Sequence, residues 1–288
     1  MQIILNGAIT GFGISLLAVA FQTVYMPTRV FFLGLAGVYA AVPFVCLTTL
    51  QQTGSWWVAI PVSILSGVVI SVLAEWLIHA PLEKKKAASG THLIASLGTY
   101  IVLVQIIAMI WGNKPRSLRQ GLDSVNTLGG VLITGAQWVM LSGAVFSMGL
   151  FFVFLGRTNL GLRMRALADN PIQFSLYGHK VSAYRFFAFG LAGALAAIAA
   201  IITSYDLGFD VHTGLHALLL AVVAVIVGGR STFIGPLVGG LLLGLVRSQV
   251  VWHLSARWQE AVSFGLLAVV LVLLPNGLLG GRQRLEAE

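Results

Sequence analysis

Long apolar runs alternate with short polar clusters along the whole chain. A bilayer core about 30 Å thick requires about 20 apolar residues in each crossing helix, and most of the runs have about that length. The pattern therefore predicts an all-α, polytopic integral membrane protein with eight or nine transmembrane helices in a single domain, residues 1–288. The predicted spans are residues 3–25, 30–50, 56–78, 92–111, 130–155, 183–203, 213–227, 234–251 and 258–275.

The seventh and eighth runs differ from the others because both are short. Only residues 228–232, which include Gly228 and Gly229, separate them. Glycine weakens a helix, so we expect these two runs to form short helices that are broken or re-entrant. This uncertainty is why the predicted count is eight or nine.

The composition excludes a soluble protein. Hydrophobic residues make up 58% of the chain and charged residues only 9%, and the mean hydropathy is +0.93. A soluble domain carries roughly 25% charged residues, because its surface faces water. Nine spans with their loops also use nearly all of the chain, so there is no room for a separate soluble catalytic domain, and we expect no enzymatic activity.

The net charge of +8 indicates membrane topology rather than nucleic-acid binding, because the basic residues lie mainly in loops between apolar runs. Lysine and arginine accumulate in cytoplasmic loops. With residues 83–86 placed in the cytoplasm and the spans alternating, most of the 17 basic residues fall inside. The five that fall outside are Lys114, Arg116, Arg119, Arg247 and Arg257. We therefore predict a multi-pass protein of a bacterial inner membrane with a cytoplasmic C-terminus and, for an odd number of spans, an N-terminus outside.

The inner loop, about residues 156–182, is the longest and carries signs of ordered structure. Residues 161–170 are competent to form a helix, which Asn170 and Pro171 end because the residue before proline leaves the α region. A second short turn follows over residues 172–177 and stops at Gly178. The loop is thus predicted to be a short helix–turn–helix on the inner membrane face. The alternative is a basic loop held at anionic lipid headgroups.

The glycines inside the spans are the next feature. Gly235 and Gly239 are four residues apart, as are Gly240 and Gly244. Small residues at this spacing let membrane helices approach closely. The pattern predicts tight helix packing.

Motifs for ATP or metal chemistry are weak or absent. The chain contains no GxxxxGK[ST] phosphate loop, so we expect it to bind no ATP. Asp206, Asp210, His212 and His216 form an acid/histidine cluster near one outer edge, which is more typical of a solvated loop than of a metal site. Glu75 lies in the third run, four residues before His79, where a capping or interfacial role is expected.

Uncharged polar residues within the spans are candidates for a translocation path, because polar groups in hydrocarbon are costly and are often functional. They could equally hydrogen-bond to a neighbouring helix. The candidates are Asn6, Gln22, Gln105 and Gln137.

Three sequence blocks resemble the permeases of branched-chain amino acid ABC transporters. Residues 161–170 read GLRMRALADN and resemble the cytoplasmic loop of that family. Residues 227–240 read VGGRSTFIGPLVGG and are similar to its LGGxGSxxGxxxGG stretch. Residues 274–280 read LPNGLLG and are similar to its closing PxGLxG element. Their order and spacing extend over about the last 130 residues.

The resemblance implies the membrane subunit of an ABC importer. Such a permease pairs with a second permease, two ATPase subunits that bind ATP, and a solute-binding protein outside; this chain itself would hold no cofactor, and membrane lipid would be its other partner. The inner loop would dock on an ATPase. The residues assigned to this coupling role are Gly161, Arg163, Arg165, Ala166, Asp169 and Asn170.

The N-terminal half departs from the family pattern, which leaves the solute open. The family's NFAHG segment with its acidic residue corresponds to residues 28–37, which contain no histidine or acidic residue. We expect a small amino acid, branched-chain or hydrophobic, as the solute. The alternatives are urea, another amide or an unrelated small metabolite, or a self-sufficient secondary transporter or channel.

Overall fold

A computed structural model describes residues 1–119, 125–128 and 131–280. This part of the chain is predominantly helical, which confirms the all-α class. The helices are α1 Gln2–Thr28, α2 Gly34–Thr53, α3 Trp56–Ala74, α4 Ala80–Lys84, α5 Ser89–Trp111, α6 Gly135–Arg157, α7 Asn159–Asp169, α8 Pro171–Leu176, α9 Val181–Leu207, α10 Thr213–Gly228, α11 Gly235–His253 and α12 Gln259–Leu273. A π-helical turn, Glu75–His79, joins α3 to α4, so that one helical span runs over Trp56–Lys84.

Within the described residues, eight helices are long and apolar enough to cross a membrane. A ninth apolar helix, α10, has 16 residues, a rise of about 24 Å against the roughly 30 Å of hydrocarbon. The expected short length of this run is therefore confirmed, but the expected break is wrong, because α10 is one continuous helix. For the following run the expected short length is also wrong, because α11 has 19 residues and is itself long enough to span.

The predicted fifth span, residues 130–155, also begins too early. Residues Val131–Thr134 form strand β2, which pairs with strand β1, Val125–Leu128, in an antiparallel hairpin. Helix α6 begins only after Thr134, whose hydroxyl accepts a hydrogen bond from the N–H of Gln137 while the Gln137 side chain accepts one from the N–H of Thr134. This reciprocal capping box fixes the start of the helix.

The first helix lies at the centre of the bundle and packs along α11 through small residues. A Cβ atom at Gly11 would lie 2.9 Å from Cα of Leu241, and one at Gly240 would lie 2.7 Å from Cα of Ser15; carbon atoms normally pack at 3.5–4.0 Å. The opposite face of α11 meets α10 in the same way, because Gly239 abuts Gly228. The two glycine pairs predicted from sequence thus serve two different helix contacts.

The loops collect at two ends of the bundle, as an alternating topology requires. At one end lie the α4–α5 turn, the α6–α9 connection, the α10–α11 turn and residues 274–280, all joined by the contacts described below. We call this the basic end, because it carries Lys84, Lys85 and Lys86. At the other end, the Ser248 hydroxyl donates a hydrogen bond to the carbonyl of Ile3, and the backbones of Arg116 and Phe209 form an isolated antiparallel β-bridge.

Candidate coupling and translocation sites

Local hydrogen bonds build the segment α7–α8 as the sequence predicts. The hydroxyl of Thr158 accepts a hydrogen bond from the N–H of Gly161 at 3.0 Å and caps α7. The side chain of Asn170 accepts from the N–H groups of Ile172 and Gln173, both at 3.0 Å, and caps α8, which begins at Pro171. Gly161 allows the sharp α6–α7 turn, since a Cβ atom there would lie 2.6 Å from Cα of Leu155.

Burial divides this segment into two faces. Met164, Leu167 and Phe174 are buried against the bundle. On the face that points away from the bundle, four large apolar residues remain exposed: Leu162 58%, Ile172 74%, Leu176 80% and Tyr177 82%. We call these four residues the apolar rim. An amphipathic segment of this kind packs one face against its own protein and leaves the other face free to contact a partner protein or lipid headgroups.

The six residues assigned to coupling occupy four kinds of position, of which the last is a cavity lined by Arg165 and Asp169. Gly161 and Asn170 shape the backbone, as described above. Arg163 donates a hydrogen bond from Nη1 to the Tyr184 hydroxyl at 2.9 Å, which joins α7 to α9. Ala166 is exposed.

Arg165 and Asp169 both line a cavity of 560 Å³ between α7 and the start of α11. The cavity is otherwise mainly apolar and includes Phe233 and Leu237. Nε of Arg165 is buried there and has no hydrogen-bond partner in the described part of the chain. The two charged residues therefore face the junction between α7–α8, which we call the coupling segment after its predicted role, and the α10–α11 turn.

The structure does not bring the four candidate path residues together. Gln22 is fully buried and donates hydrogen bonds from Nε2 to the carbonyls of Arg230 at 2.8 Å and Thr232 at 3.3 Å. Gln137 caps α6, Asn6 accepts from Gln2 at the opposite end, and Gln105 is exposed on α5. Their role in a path stays a prediction, and Gln22 has a clear structural role besides.

The outer acid/histidine cluster also separates. Asp210 accepts hydrogen bonds from the N–H groups of His212 at 2.7 Å and Thr213 at 2.8 Å, at the start of α10. Burial would raise the pKa of its carboxyl, but these bonds and the one from the Thr213 hydroxyl lower it below its usual value. Nε2 of His216 instead lies 3.6 Å from Oε1 of Glu260. Among the described residues, no group of three or more His, Cys, Asp or Glu side chains could hold a metal ion.

Sequence analysis missed a buried ionic cluster at the basic end. Nε of Arg185 lies 2.9 Å from Oε1 of Glu75, and its Nη1 lies 2.9 Å from Oε2 of Glu83. Next to them, Nδ1 of His79 and Nδ1 of His92 are 3.2 Å apart. Glu75 was expected to have a capping or interfacial role and is instead 1% exposed. The one sign of this cluster in the sequence is the charge of Glu75 inside an apolar run. Its partner, Arg185, is 110 positions away.

Two of the three sequence blocks meet in space. The N–H groups of Leu278 and Leu279 donate to the carbonyls of Val227 and Gly228, both at 2.9 Å. Gly277 has φ +78° and lies so close that a Cβ atom would be 2.6 Å from the nitrogen of Gly229. Residues 274–280 thus brace the α10–α11 turn, while Gln22 holds the same turn from α1.

Comparison with known proteins agrees with this architecture. Residues 3–271 match the family described as branched-chain amino acid transport system / permease component. The high-affinity branched-chain amino acid transport system permease protein LivH of Escherichia coli (strain K12) is 25% identical over 295 residues, covering 97% of this chain and 95% of that protein. A probable branched-chain amino acid transport permease protein LivH of Methanocaldococcus jannaschii is 26% identical over 298 residues, covering 97% and 92%.

A solved structure shares the fold. PsaBC from Streptococcus pneumoniae in complex with Fab superposes with a TM-score of 0.54, covering 96% of this chain and 93% of that chain at 10% sequence identity. The family match and the shared fold together define a membrane-spanning permease subunit of an ABC importer. The chain belongs to the branched-chain amino acid transport system permease family, which confirms the family that the three sequence blocks indicated.

Proposed function

We propose that this subunit imports a small amino acid with a branched or otherwise hydrophobic side chain. It works with a second permease and a solute-binding protein outside, and separate ATPase subunits bind and hydrolyse the ATP. The family description and the names of the two LivH proteins support this solute.

The observation that carries the proposal is the apolar rim of α7–α8. Four large apolar side chains are exposed on a short helical pair that is capped and anchored, and three basic residues flank them: Arg157, Arg163 and Lys180. Exposed apolar surface rimmed by polar residues marks an interaction site for a protein or a membrane, and we assign this one to a protein. An ATPase that receives this segment in a groove would bury the rim and could push the helices attached to it.

Movement of α7–α8 would reach two parts of the bundle. Arg163 joins the segment to α9 through Tyr184, and the cavity shared by Arg165 and Leu237 borders the start of α11. ATP binding at the partners would thereby rock α9 and α11 relative to the rest, which switches access to the solute path from one side to the other.

The proposed sidedness follows from charge. The basic end carries the three lysines of the α4–α5 turn and the arginines of α7, and basic loops stay in the cytoplasm. The basic end would then face the ATPases in the cytoplasm of a bacterial cell, with the inner membrane as the location. The N-terminus would lie outside.

The test is purification of the tagged chain in mild detergent with mass spectrometry of the proteins that come with it. We expect an ATPase and a second permease to co-purify. The double variant Leu176→Ser, Tyr177→Ser removes two members of the rim and should reduce ATPase recovery at least tenfold. Leu254→Ser, at an apolar residue of the opposite end that is 64% exposed, is the control and should leave recovery unchanged.

Two outcomes contradict the proposal. Recovery of an intact, monodisperse chain alone, followed by gradient-driven uptake in liposomes, would assign transport to this chain without ATPases. Equal ATPase recovery in the double variant and the control would remove the coupling role of α7–α8. The solute is tested separately, by ATP-dependent uptake of labelled leucine against labelled urea in vesicles that contain the assembled complex.

A further inference from the structure

A cavity of 740 Å³ lies at the basic end between the α3–α4 span and α9, beside the ionic cluster. Its walls are of two kinds. The apolar wall includes Trp76, Leu77 and Phe186, and the polar end includes Glu83, Lys84 and Ser182. Trp76 and Leu77 are each 60% exposed, so the apolar side opens on the outer surface of the bundle, where a membrane protein meets lipid.

Two of the three tryptophans of this span, Trp57 and Trp76, place the cavity at the membrane interface. Trp57 is 92% exposed and Trp76 is 60% exposed, and they are 19 positions apart. That separation is a helical rise of about 29 Å, which matches the hydrocarbon thickness of about 30 Å. Tryptophan is enriched at both interfaces. Trp76 therefore marks the headgroup level, and Glu83 and Lys84 lie beyond it.

The polar end combines both signs of charge. Lys84, Glu83 and Ser182 are exposed there, while Arg185 lies behind them with its side chain 6% exposed. The formal charges of Glu75 and Glu83 offset those of Arg185 and Lys84, so the cavity is lined by both signs of charge in equal number. A purely anionic molecule would meet two carboxylates, and a purely cationic one would meet the guanidinium and the ammonium.

Two polar atoms of the ionic cluster behind the cavity lack a hydrogen-bond partner. Nη2 of Arg185 and Oε2 of Glu75 are buried and have no hydrogen-bond partner in the described part of the chain. Leaving such groups unpaired is costly. At the polar end itself, Glu83, with its side chain 55% exposed, can accept a hydrogen bond, and Lys84 and Ser182 can donate one, which again favours a molecule that carries both a donor and an acceptor.

We propose that this cavity binds a phospholipid whose headgroup carries a primary amine, of the phosphatidylethanolamine type. Lys84 and the Ser182 hydroxyl contact the phosphate, with Arg185 behind them, and Glu83 contacts the ammonium. An acyl chain lies along Trp76, Leu77 and Phe186. The lipid would join α4 to the start of α9, directly after the coupling segment.

The test uses the full chain in its purified complex and native mass spectrometry of retained lipids. We expect phosphatidylethanolamine to be retained in preference to phosphatidylglycerol and phosphatidylcholine. Lys84→Gln removes a charged contact to the phosphate and should weaken retention roughly tenfold. Lys85→Gln is the matched control, since Lys85 belongs to the same turn and does not line the cavity.

A second measurement separates the sources of the phosphate. Lipid-depleted complex is titrated with vesicles of phosphatidylcholine containing phosphatidylethanolamine, with vesicles containing phosphatidylglycerol instead, and with inorganic phosphate, and its thermal stability is followed. Only the first should raise the melting temperature, and Lys84→Gln should reduce that rise. Equal retention in the Lys84 and Lys85 variants, a preference for phosphatidylglycerol, or stabilisation by inorganic phosphate alone would each overturn the proposal.

Discussion

Two neighbouring regions of the basic end reverse the usual placement of side chains. In the ionic cluster, Glu75 and Arg185 are buried between helices. In the coupling segment, Leu176 and Tyr177 of the apolar rim are exposed beyond the bundle. Both arrangements cost free energy when the chain is considered alone. The first is compensated inside the chain by ion pairs, whereas the second has no compensation within the described part of the chain, and the proposed ATPase contact would supply it.

The comparison indicates how the two regions divide their roles. The ionic cluster fixes α9 to the α3–α4 span, and α9 begins directly after the coupling segment. If α7–α8 docks on an ATPase as proposed, this ion-paired contact would transmit the movement of α7–α8 to α9 and to the α3–α4 span. We therefore expect substitutions in the cluster to affect folding, and substitutions in α7–α8 to affect coupling while the bundle stays folded.

The largest effect is expected for Arg185→Met. It leaves Glu75 buried without its partner, and breaking a buried pair on one side costs about 3–5 kcal/mol. Thermal unfolding of the purified chain measures the loss. Arg157→Met, at an exposed position, should change little. The double variant Arg185→Met, Glu75→Met should recover part of the stability; if it is less stable than the single variant, Glu75 and Arg185 do not act as a pair.

A smaller effect is expected for Gly161→Ala at the α6–α7 turn. The added methyl group would overlap the backbone of Leu155, and such overpacking costs typically 1–3 kcal/mol. The turn would shift and move the apolar rim, so stimulation of the partner ATPase by solute should fall while assembly of the spans persists. Gly156→Ala meets nothing within 4 Å and should retain stimulation. Equal activity of both variants would show that the turn geometry is not needed.

Asn170→Ala removes the cap of α8 and should cost about 1 kcal/mol locally. Hydrogen exchange of the Ile172 and Gln173 amides, which lose their acceptor, should become faster. Asn159→Ala changes an exposed asparagine in the same segment and should leave those amides unchanged. Unaltered exchange in Asn170→Ala would mean that the bundle, and not the cap, holds α8.

The smallest effect is expected for the contact between Arg163 and Tyr184. It is an exposed hydrogen bond, and its net contribution should be under about 1 kcal/mol. A double-mutant cycle with Arg163→Leu and Tyr184→Phe measures the coupling energy. A value well above that limit would make this bond a principal link between α7 and α9.

Local patterns were sufficient to predict part of this structure. The apolar runs located the spans, and Asn170 with Pro171 located the break between α7 and α8, because both signals act within a few residues. The ionic cluster and the role of Gln22 could not be found this way. Glu75 meets Arg185 across 110 positions, and Gln22 meets Arg230 across 208; hydropathy identifies a polar residue in a span but not its partner.

The order of synthesis separates the two supports of the α10–α11 turn. Gln22, which holds the turn from α1, is made before it. Leu278 and Leu279, which donate hydrogen bonds to the carbonyls of Val227 and Gly228, leave the ribosome about 50 residues later and only after α12. A ribosome that stalls within α12 would therefore leave a nascent chain whose turn is held from α1 but still lacks these two hydrogen bonds.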